Sequence, residues 1–303
     1  MNTRHYLDIP DLSAEETREV LTRSARLKKR PLQPNLLAGR SLAMIFEKSS
    51  TRTRVSFEVG MTQLGGHALF LSSRDTQLGR GEPIADAAKV LSRMVDVVMI
   101  RNDCQDTQAE FAAHSCVPVI NGLSDAAHPC QVLADILTFE EHRGRIEGRK
   151  VAWIGDANNV CLSWVAAAKL LGFSLHVASP RRYGLDPALT THREIVCTED
   201  TAAAASGADL VLTDVWASMG QESQSRTRAA AFAEYQVDER LMTLAGKDAL
   251  FMHCLPAHRG EEVSAGVIDG PQSVVWDEAE NRLHAQKGLL TFLLGVPLEA
   301  VRT

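Results

Sequence analysis

The sequence lacks the marks of membrane, secreted and nucleic-acid-binding proteins. No apolar run approaches the roughly 18 residues needed to cross a membrane. The N-terminal residues, Met1 to Asp8, lack the h-region of a signal peptide. Acidic residues outnumber basic ones by 38 to 32, a net charge of −6, which opposes binding to nucleic acid or to an anionic membrane. These absences predict a cytoplasmic protein with neither kind of partner.

Three chemical signatures are also missing. The six cysteines lie far apart without paired spacing, which is typical of free thiols in a reducing compartment. No Walker A loop with Gly-Lys-Ser/Thr is present, so ATP is not implied. The turn at residues 155–159, GDANN, lacks the G-x-G-x-x-G fingerprint of a dinucleotide site, which opposes a dehydrogenase.

What is present is an alternation of predicted strands and helices. Such alternation predicts an α/β fold of parallel sheets with helices on both faces. At about 150 residues per domain, the chain is long enough for two domains. Helices are predicted after the capping box Ser13 to Glu16, over 52–64, 85–94 and 160–171, from Pro129 onwards, and from Glu278 to Leu294. The predicted strands are residues 41–46, 67–71, 95–101, 117–120, 150–156, 175–178, 208–216, 249–256 and 273–276.

Polar residues follow many of these strands. In open parallel sheets, the carboxyl ends of the strands are where ligands bind. Two halves whose carboxyl edges face each other would form one cleft. The polar residues at these strand ends are Ser50 to Arg54, Arg101, His128, Asp156 to Asn159, Asp214 and Cys254.

Ser50-Thr51-Arg52-Thr53 lies at the start of a predicted helix. The free N–H groups and the dipole of a helix N-terminus attract anions, and hydroxyls with a guanidinium there favour phosphate. The alternative is a plain N-cap, but a cap requires only the Ser or Thr. Arg101, at the end of the strand VVMIR, is either a solvated strand end or a second clamp on the same phosphate.

His128 and Gln131, in HPCQ, lie at the start and one turn into another predicted helix. Together they suit a carbamate-like group, because His can donate to a carbonyl oxygen and Gln offers both a donor and an acceptor. His128 as a simple cap is equally compatible with the pattern. In GDANN, Asn158 or Asn159 could bind a carboxylate, or the segment is only a turn.

Two segments near the C-terminus allow several interpretations. Asp214 in TDVWASMGQE could hold an ammonium group, and Gly220 would let the segment close as a lid; the alternative is an ordinary exposed loop. In FMHCLPAHRGEE, His253, Cys254 and His258 match a zinc site poorly, so no metal is predicted. Cys254 is either a nucleophile without an identified base or, with the Leu255 backbone, part of a pocket lining.

These motifs, in this order, resemble those of the aspartate/ornithine carbamoyltransferase family. The resemblance covers essentially the whole chain. The combination of S-M-G and H-C-L-P is similar to the ornithine-specific members. The matching segments are Ser50 to Arg54, His128 to Gln131, Asp214 to Gly220 and His253 to Pro256.

The resemblance implies a fold, a reaction and an assembly. Residues 1–142, completed by the C-terminal helix and tail at 278–303, would bind carbamoyl phosphate, and residues 143–277 would bind L-ornithine. Two interdomain helices, 129–142 and 278–294, would join these domains. The products would be L-citrulline and phosphate, as in arginine biosynthesis, and no cofactor would be needed. The family also implies a homotrimer, or a multiple of trimers, with sites at the subunit interfaces.

The resemblance also assigns site residues. The implied catalytic residues are Arg52, Arg101, His128 and Cys254. Gln77 would come from the neighbouring subunit. Ornithine would be held by Asn159, Asp214, Ser218 and Met219. Carbamoyl phosphate would be held by Ser50, Thr51, Arg52, Thr53, Gln77, Arg101, His128, Gln131, Cys254, Leu255 and Arg282.

Rival functions remain within and outside the family. An aspartate-specific member should carry a basic loop for the second carboxylate, which residues 74–82 and the S-M-G segment oppose. Acetylornithine or putrescine as the acceptor stays open, because those variants differ in loop details. A non-catalytic interaction protein is opposed by the intact sets of phosphate and amino-acid residues.

Overall fold

The protein consists of two compact units. The computed structural model describes residues 3–72, 81–217 and 225–303. One unit comprises Met1–Leu137 together with Glu280–Thr303, and the other comprises Thr138–Ala279. The chain passes between the units inside two helices, α5 (Pro129–Arg143) and α11 (Val275–Leu293).

The first unit contains a four-stranded sheet in the order β2-β1-β3-β4, and all its neighbouring strands are parallel. Helix α1 begins at a capping box in which Ser13 and Glu16 bond each other's backbone N–H, as the sequence predicts. The elements of this unit, besides parts of α5 and α11, are α1 (Ala14–Lys29), β1 (Ser41–Phe46), α2 (Thr51–Gln63), β2 (His67–Ser72), α3 (Ile84–Leu91), β3 (Val97–Arg101), α4 (Gln105–His114) and β4 (Val119–Leu123).

The two central strands of this sheet are buried almost throughout, whereas the edge strand β2 is not. Ile45 and Ile100 lie in a core with Phe111 of α4. On β2, Leu69 and Phe70 remain 41% and 39% exposed. The buried strands end at Phe46 and Arg101, so the residues that follow them lie at one carboxyl edge of the sheet.

The second unit contains a five-stranded parallel sheet in the order β7-β6-β5-β8-β9. Its core joins Ile154, Val211 and Phe251 of the sheet to the aromatic side chains of Trp216 and Phe232. Its elements, besides parts of α5 and α11, are β5 (Lys150–Ile154), α6 (Asn159–Leu171), β6 (Ser174–Ala178), β7 (Ile195–Thr198), α7 (Thr201–Ala205), β8 (Leu210–Thr213), α8 (Ser225–Phe232), α9 (Glu239–Leu244), β9 (Leu250–His253) and α10 (Ala265–Ile268).

The structure confirms the predicted fold class, two parallel sheets flanked by helices. One predicted element is wrong: residues 273–276 are not a strand. Ser273 forms a single bridge with Phe251, and helix α11 begins at Val275 with Asp277 and Glu278 in its first turn. Acidic residues in the first turn complement the helix dipole. They favour a helix here over a strand that would continue through Val274 and Val275. Among the described residues, no helix is both long and apolar enough to span a membrane.

Candidate functional site

The start of helix α2 is the centre of the first group of site residues. Ser50 has an extended backbone, and its hydroxyl accepts a hydrogen bond of 3.4 Å from the backbone N–H of Thr53. Thr51 is exposed, Arg52 is half-buried and Thr53 is fully buried. The helix dipole is positive at this end, which suits an anion. The side chains around this position range from exposed to fully buried.

Two guanidinium groups converge on the hydroxyl of Thr53. Arg101, at the end of β3, donates from Nη1 to Thr53 Oγ1 at 3.3 Å. Arg282, on α11, donates from Nη2 to the same oxygen at 3.1 Å. Both arginines are at most 5% exposed. Of the two interpretations of Arg101, the solvated strand end is therefore wrong.

Gln131 is oriented by its two partners. Its Oε1 accepts from Nη1 of Arg282 at 2.6 Å, and its Nε2 donates to Oδ1 of Asp135 at 2.7 Å. The amide is thereby fixed with its oxygen towards the arginine.

His128 precedes α5 directly and is 4% exposed. Burial lowers the pKa of His128 well below its usual 6.5, and the positive charges of Arg282, Arg101 and Arg52 lower it further. The imidazole is therefore neutral at neutral pH, and one ring nitrogen is a donor. The same three arginines make this region of the first unit strongly electropositive.

In the second unit, Asp214 organises the other group. It lies one residue beyond β8 and is 7% exposed. Its Oδ2 accepts from Nδ2 of Asn158 at 2.6 Å, and its Oδ1 accepts from the backbone N–H of Val215 at 2.8 Å. Cys254 Sγ also donates to Oδ1, at 3.1 Å. Strand ends β5, β8 and β9 thus bring GDANN, Asp214 and Cys254 together.

The structure separates the roles of the two asparagines in GDANN. Asn158 is the N-cap of α6, since its Oδ1 accepts from the backbone N–H of Val160 and Cys161 at 3.0 and 3.2 Å. Asn159 is the first helical residue and is half-buried. Asn158 therefore anchors Asp214, whereas the predicted carboxylate contact of Asn159 stays a prediction.

The geometry around Cys254 bears on its alternative roles. Its thiol donates to a carboxylate, and a neighbouring negative charge opposes the thiolate that a nucleophile would need. Asp214, His253 and Cys254 offer three potential metal ligands. However, Nδ1 of His253 accepts from the backbone N–H of Leu255 at 2.9 Å, and Nε2 contacts Glu262 Oε1 at 3.1 Å. Both imidazole nitrogens are engaged within the chain, which favours the pocket-lining interpretation over a nucleophile or a metal ligand.

Three predicted site residues, Gln77, Ser218 and Met219, lie outside the described residues. The others form two groups. In the first unit, Ser50 to Thr53, Arg101, His128 and Gln131 occupy the carboxyl edge of one sheet and the neighbouring helix starts, and Arg282 reaches Thr53 from within α11. In the second unit, Asn159, Asp214, Cys254 and Leu255 occupy the carboxyl edge of the other sheet.

Comparison with known proteins agrees with this arrangement. Residues 4–141 match the family domain described as "Aspartate/ornithine carbamoyltransferase, carbamoyl-P binding domain". Residues 147–293 match "Aspartate/ornithine carbamoyltransferase, Asp/Orn binding domain". The chain belongs to the aspartate/ornithine carbamoyltransferase family. The second match extends to residue 293, whereas Glu280–Thr303 pack with the first unit.

Similar members of the family span nearly the whole chain. The ornithine carbamoyltransferase of Halorhodospira halophila is 62% identical over 297 residues, covering 96% of this chain and 99% of that protein. The crystal structure of ornithine carbamoyltransferase from Burkholderia thailandensis is 56% identical, with a TM-score of 0.88 and coverage of 96% and 98%. That from Pyrococcus furiosus is 48% identical, with a TM-score of 0.92 and coverage of 96% and 97%.

Sequence reasoning missed one buried pair in this family member, Arg228 and Asp156. Arg228, on α8, donates to the Asp156 carboxylate and to the backbone oxygen of Trp216, and its guanidinium lies 4.6 Å from the Tyr183 ring centroid. Burial raises the pKa of Asp156 to about 6 against the opposing effect of Arg228, and the charge of Asp214 adds to the rise. The polar stretch 221–228 contained no signal that its last arginine would be buried.

Proposed function

We propose that the protein transfers the carbamoyl group of carbamoyl phosphate to the δ-amine of L-ornithine, giving L-citrulline and phosphate. The observation that carries this proposal is the convergence of Arg101 and Arg282 on Thr53 at the start of α2. Guanidinium groups and a helix N-terminus suit a phosphate dianion. Membership of a family with carbamoyl-phosphate and amino-acid domains supports both substrates.

In the first unit, the residues divide between the two ends of carbamoyl phosphate. Ser50, Thr51, Arg52, Thr53 and Arg101 would bind the phosphate. His128, Gln131 and Arg282 would hold the carbamoyl group. Cys254 and the Leu255 backbone belong to the second unit, and the family resemblance implies that they contribute to the same group. A neutral His128 would donate one hydrogen bond, from its protonated ring nitrogen, to the carbonyl oxygen. As that oxygen gains negative charge, the bond strengthens, which stabilises the transition state.

In the second unit, the residues orient ornithine. Asp214 would bind the α-ammonium, and Asn159, Ser218 and Met219 would complete the contacts to the amino-acid end. The neutral δ-amine then attacks the carbonyl carbon and a C–N bond forms. The C–O bond to phosphate breaks, and the departing phosphate takes up the proton that the attacking nitrogen loses. Holding both reactants in place lowers such a barrier by ~7–11 kcal/mol at the favourable limit. No covalent enzyme intermediate and no cofactor are needed.

A direct assay tests the proposal. Purified protein is incubated with carbamoyl phosphate and either ornithine, N-acetylornithine, putrescine or aspartate, and the carbamoylated products are separated and quantified. We expect citrulline from ornithine at a far higher kcat/KM than any other product. N-acetylornithine is a meaningful competitor, because an N-acetyl-L-ornithine transcarbamylase structure is 32% identical to this chain. A preference for any other acceptor contradicts the proposal.

We further propose that the protein is a homotrimer or a multiple of trimers. Four apolar side chains in this region, Val55 and Val59 on α2 and Leu69 and Phe70 on β2, are each at least 38% exposed, which supports this. A partly apolar edge strand invites pairing with another chain unless it is covered. Gln77 comes five residues after the end of β2 in the sequence, and the family resemblance assigns it to the site of a neighbouring copy.

A further inference from the structure

Strands β3 and β4 are out of register at one point, beside the phosphate-binding residues. Ile100 pairs with Asn121, but the next residue, Arg101, pairs with Leu123. Gly122 is therefore an extra residue in β4, a β-bulge. The ladder resumes after it, because the backbone N–H of Asn102 donates to Leu123 O at 3.2 Å. Bulges commonly redirect a side chain next to an active site.

The bulge supplies a support for the Arg101 side chain. Nη1 of Arg101 donates to the carbonyl oxygen of Gly122 at 3.4 Å and to Thr53 Oγ1 at 3.3 Å. One nitrogen thus bridges the bulge and the first turn of α2. We infer that Gly122 is a positioning residue: its bulge holds the Arg101 guanidinium where it can bind the phosphate of carbamoyl phosphate. This inference rests on the proposed function.

The space at Gly122 explains why the position takes a glycine. A Cβ there would lie 2.3 Å from Sδ of Met99 and 3.2 Å from the backbone oxygen of Ile100. Met99 is fully buried, so its side chain has little room to retreat. A methyl group at residue 122 would press on the strand that ends in Arg101.

The backbone around the bulge is held on its other side. The Asn121 backbone N–H donates to Tyr6 O at 2.8 Å, and its side chain donates to Leu7 O at 2.9 Å. Cys130, near the start of α5, donates from Sγ to Asn121 O at 3.3 Å. Since Asn121 is fixed from three sides, an added methyl group would displace Gly122 and the Arg101 strand rather than the whole of β4.

The test compares Gly122→Ala, Met99→Ala and the double variant Gly122→Ala/Met99→Ala. Calorimetry with freshly prepared carbamoyl phosphate gives the affinity, and steady-state kinetics give separate KM values for the two substrates. We expect Gly122→Ala to weaken carbamoyl-phosphate binding about tenfold, the lower end for losing a charged hydrogen bond, with its KM for ornithine nearly unchanged. Removing the Met99 side chain makes room for the new methyl, so the double variant should recover most of the affinity.

A second comparison shows whether the effect passes through Arg101. In an Arg101→Ala background, Gly122→Ala should weaken binding no further, since coupled residues are not additive. Should Gly122→Ala fail to fold, the double variant Gly122→Val/Met99→Ala takes its place in both comparisons. The larger valine side chain then fills the space that Met99→Ala opens and presses on the Arg101 strand as the alanine would have done. Unchanged affinity in a folded variant, or an equal loss with and without Arg101, overturns the inference. Failure of the unaltered protein to bind carbamoyl phosphate would instead overturn the proposed function.

Discussion

Asp214 shows how much the role of a single residue depends on its bonding. Its two oxygens accept from Asn158, Val215 and Cys254, so the carboxylate is held in one orientation before any substrate binds. In the proposed role, a fixed carboxylate would bind the ornithine α-ammonium without first becoming ordered, which would reduce the entropy lost on binding.

The substitution Asp214→Asn keeps the size of the side chain but removes its charge. We expect the KM for ornithine to rise about 10- to 100-fold, the effect of losing a charged hydrogen bond. The affinity for carbamoyl phosphate should change less than the ornithine KM. Kinetics with each substrate varied in turn measure both. Asp238→Asn, at the N-cap of α9, is the matched control. Equal damage to both substrates would mean that Asp214 only supports the fold.

At the scale of the element, helices α1 and α2 both begin with a serine cap, but the two caps differ. Ser13 belongs to a complete capping box. Ser50 accepts a single long bond of 3.4 Å. The weaker cap therefore lies where the proposal places an anion, which would itself satisfy free N–H groups of the helix.

This contrast predicts that the same substitution, Ser to Ala, affects mainly stability at residue 13 and mainly carbamoyl-phosphate affinity at residue 50. Ser13→Ala should lower the free energy of unfolding by about 1 kcal/mol and leave carbamoyl-phosphate affinity unchanged. Ser50→Ala should affect stability less but weaken that affinity about tenfold, as expected for a lost bond to a charged group. Denaturant titration and calorimetry measure the two quantities. A Ser50 variant that loses stability but not affinity would identify Ser50 as a plain cap.

Elements with a strong pattern could be predicted from the sequence, and short or tertiary features could not. Strand β1 was predicted with its observed bounds, because its apolar run is bounded by polar residues on both sides. Strand β7 was missed, because its two middle residues are exposed and it has only four residues. The bulge at Gly122 depends on pairing with β3, which no local pattern encodes.

The site shows the same division. A helix start with hydroxyls and Arg52 indicated an anion from local sequence alone. Arg282 is 229 residues from Thr53 yet contacts it; only the family resemblance pointed to it. Arg228 and Asp156, 72 residues apart, had neither a motif nor spacing to connect them.

At the scale of the whole molecule, the proposed trimer predicts complementation. Variants Arg52→Ala and Gln77→Ala should each be weakly active. After dissociation and reassembly at an equal ratio, a site is intact when its own chain carries only the Gln77 change and its neighbour only the Arg52 change. Random assembly of a closed ring makes about one quarter of sites intact, and activity should rise towards that fraction.

A matched mixture serves as the control for complementation. Arg52 and Arg101 would serve the site of their own chain, so mixing Arg52→Ala with Arg101→Ala leaves a lesion in every site and should restore nothing. Subunit exchange is verified by mass spectrometry with one variant isotopically labelled. No recovery in the Arg52 and Gln77 mixture, despite verified exchange, would refute the shared site.

Under the proposed function, the arginines around Thr53 would also affect how long the protein survives. Holding Arg52, Arg101 and Arg282 near one another opposes folding, because like charges repel. An anion that binds them only in the folded state stabilises it, by ~2.7 kcal/mol at a hundredfold excess over the Kd. A larger folded fraction means less exposure to proteases. The supply of carbamoyl phosphate would then set both the rate of the reaction and the abundance of the enzyme.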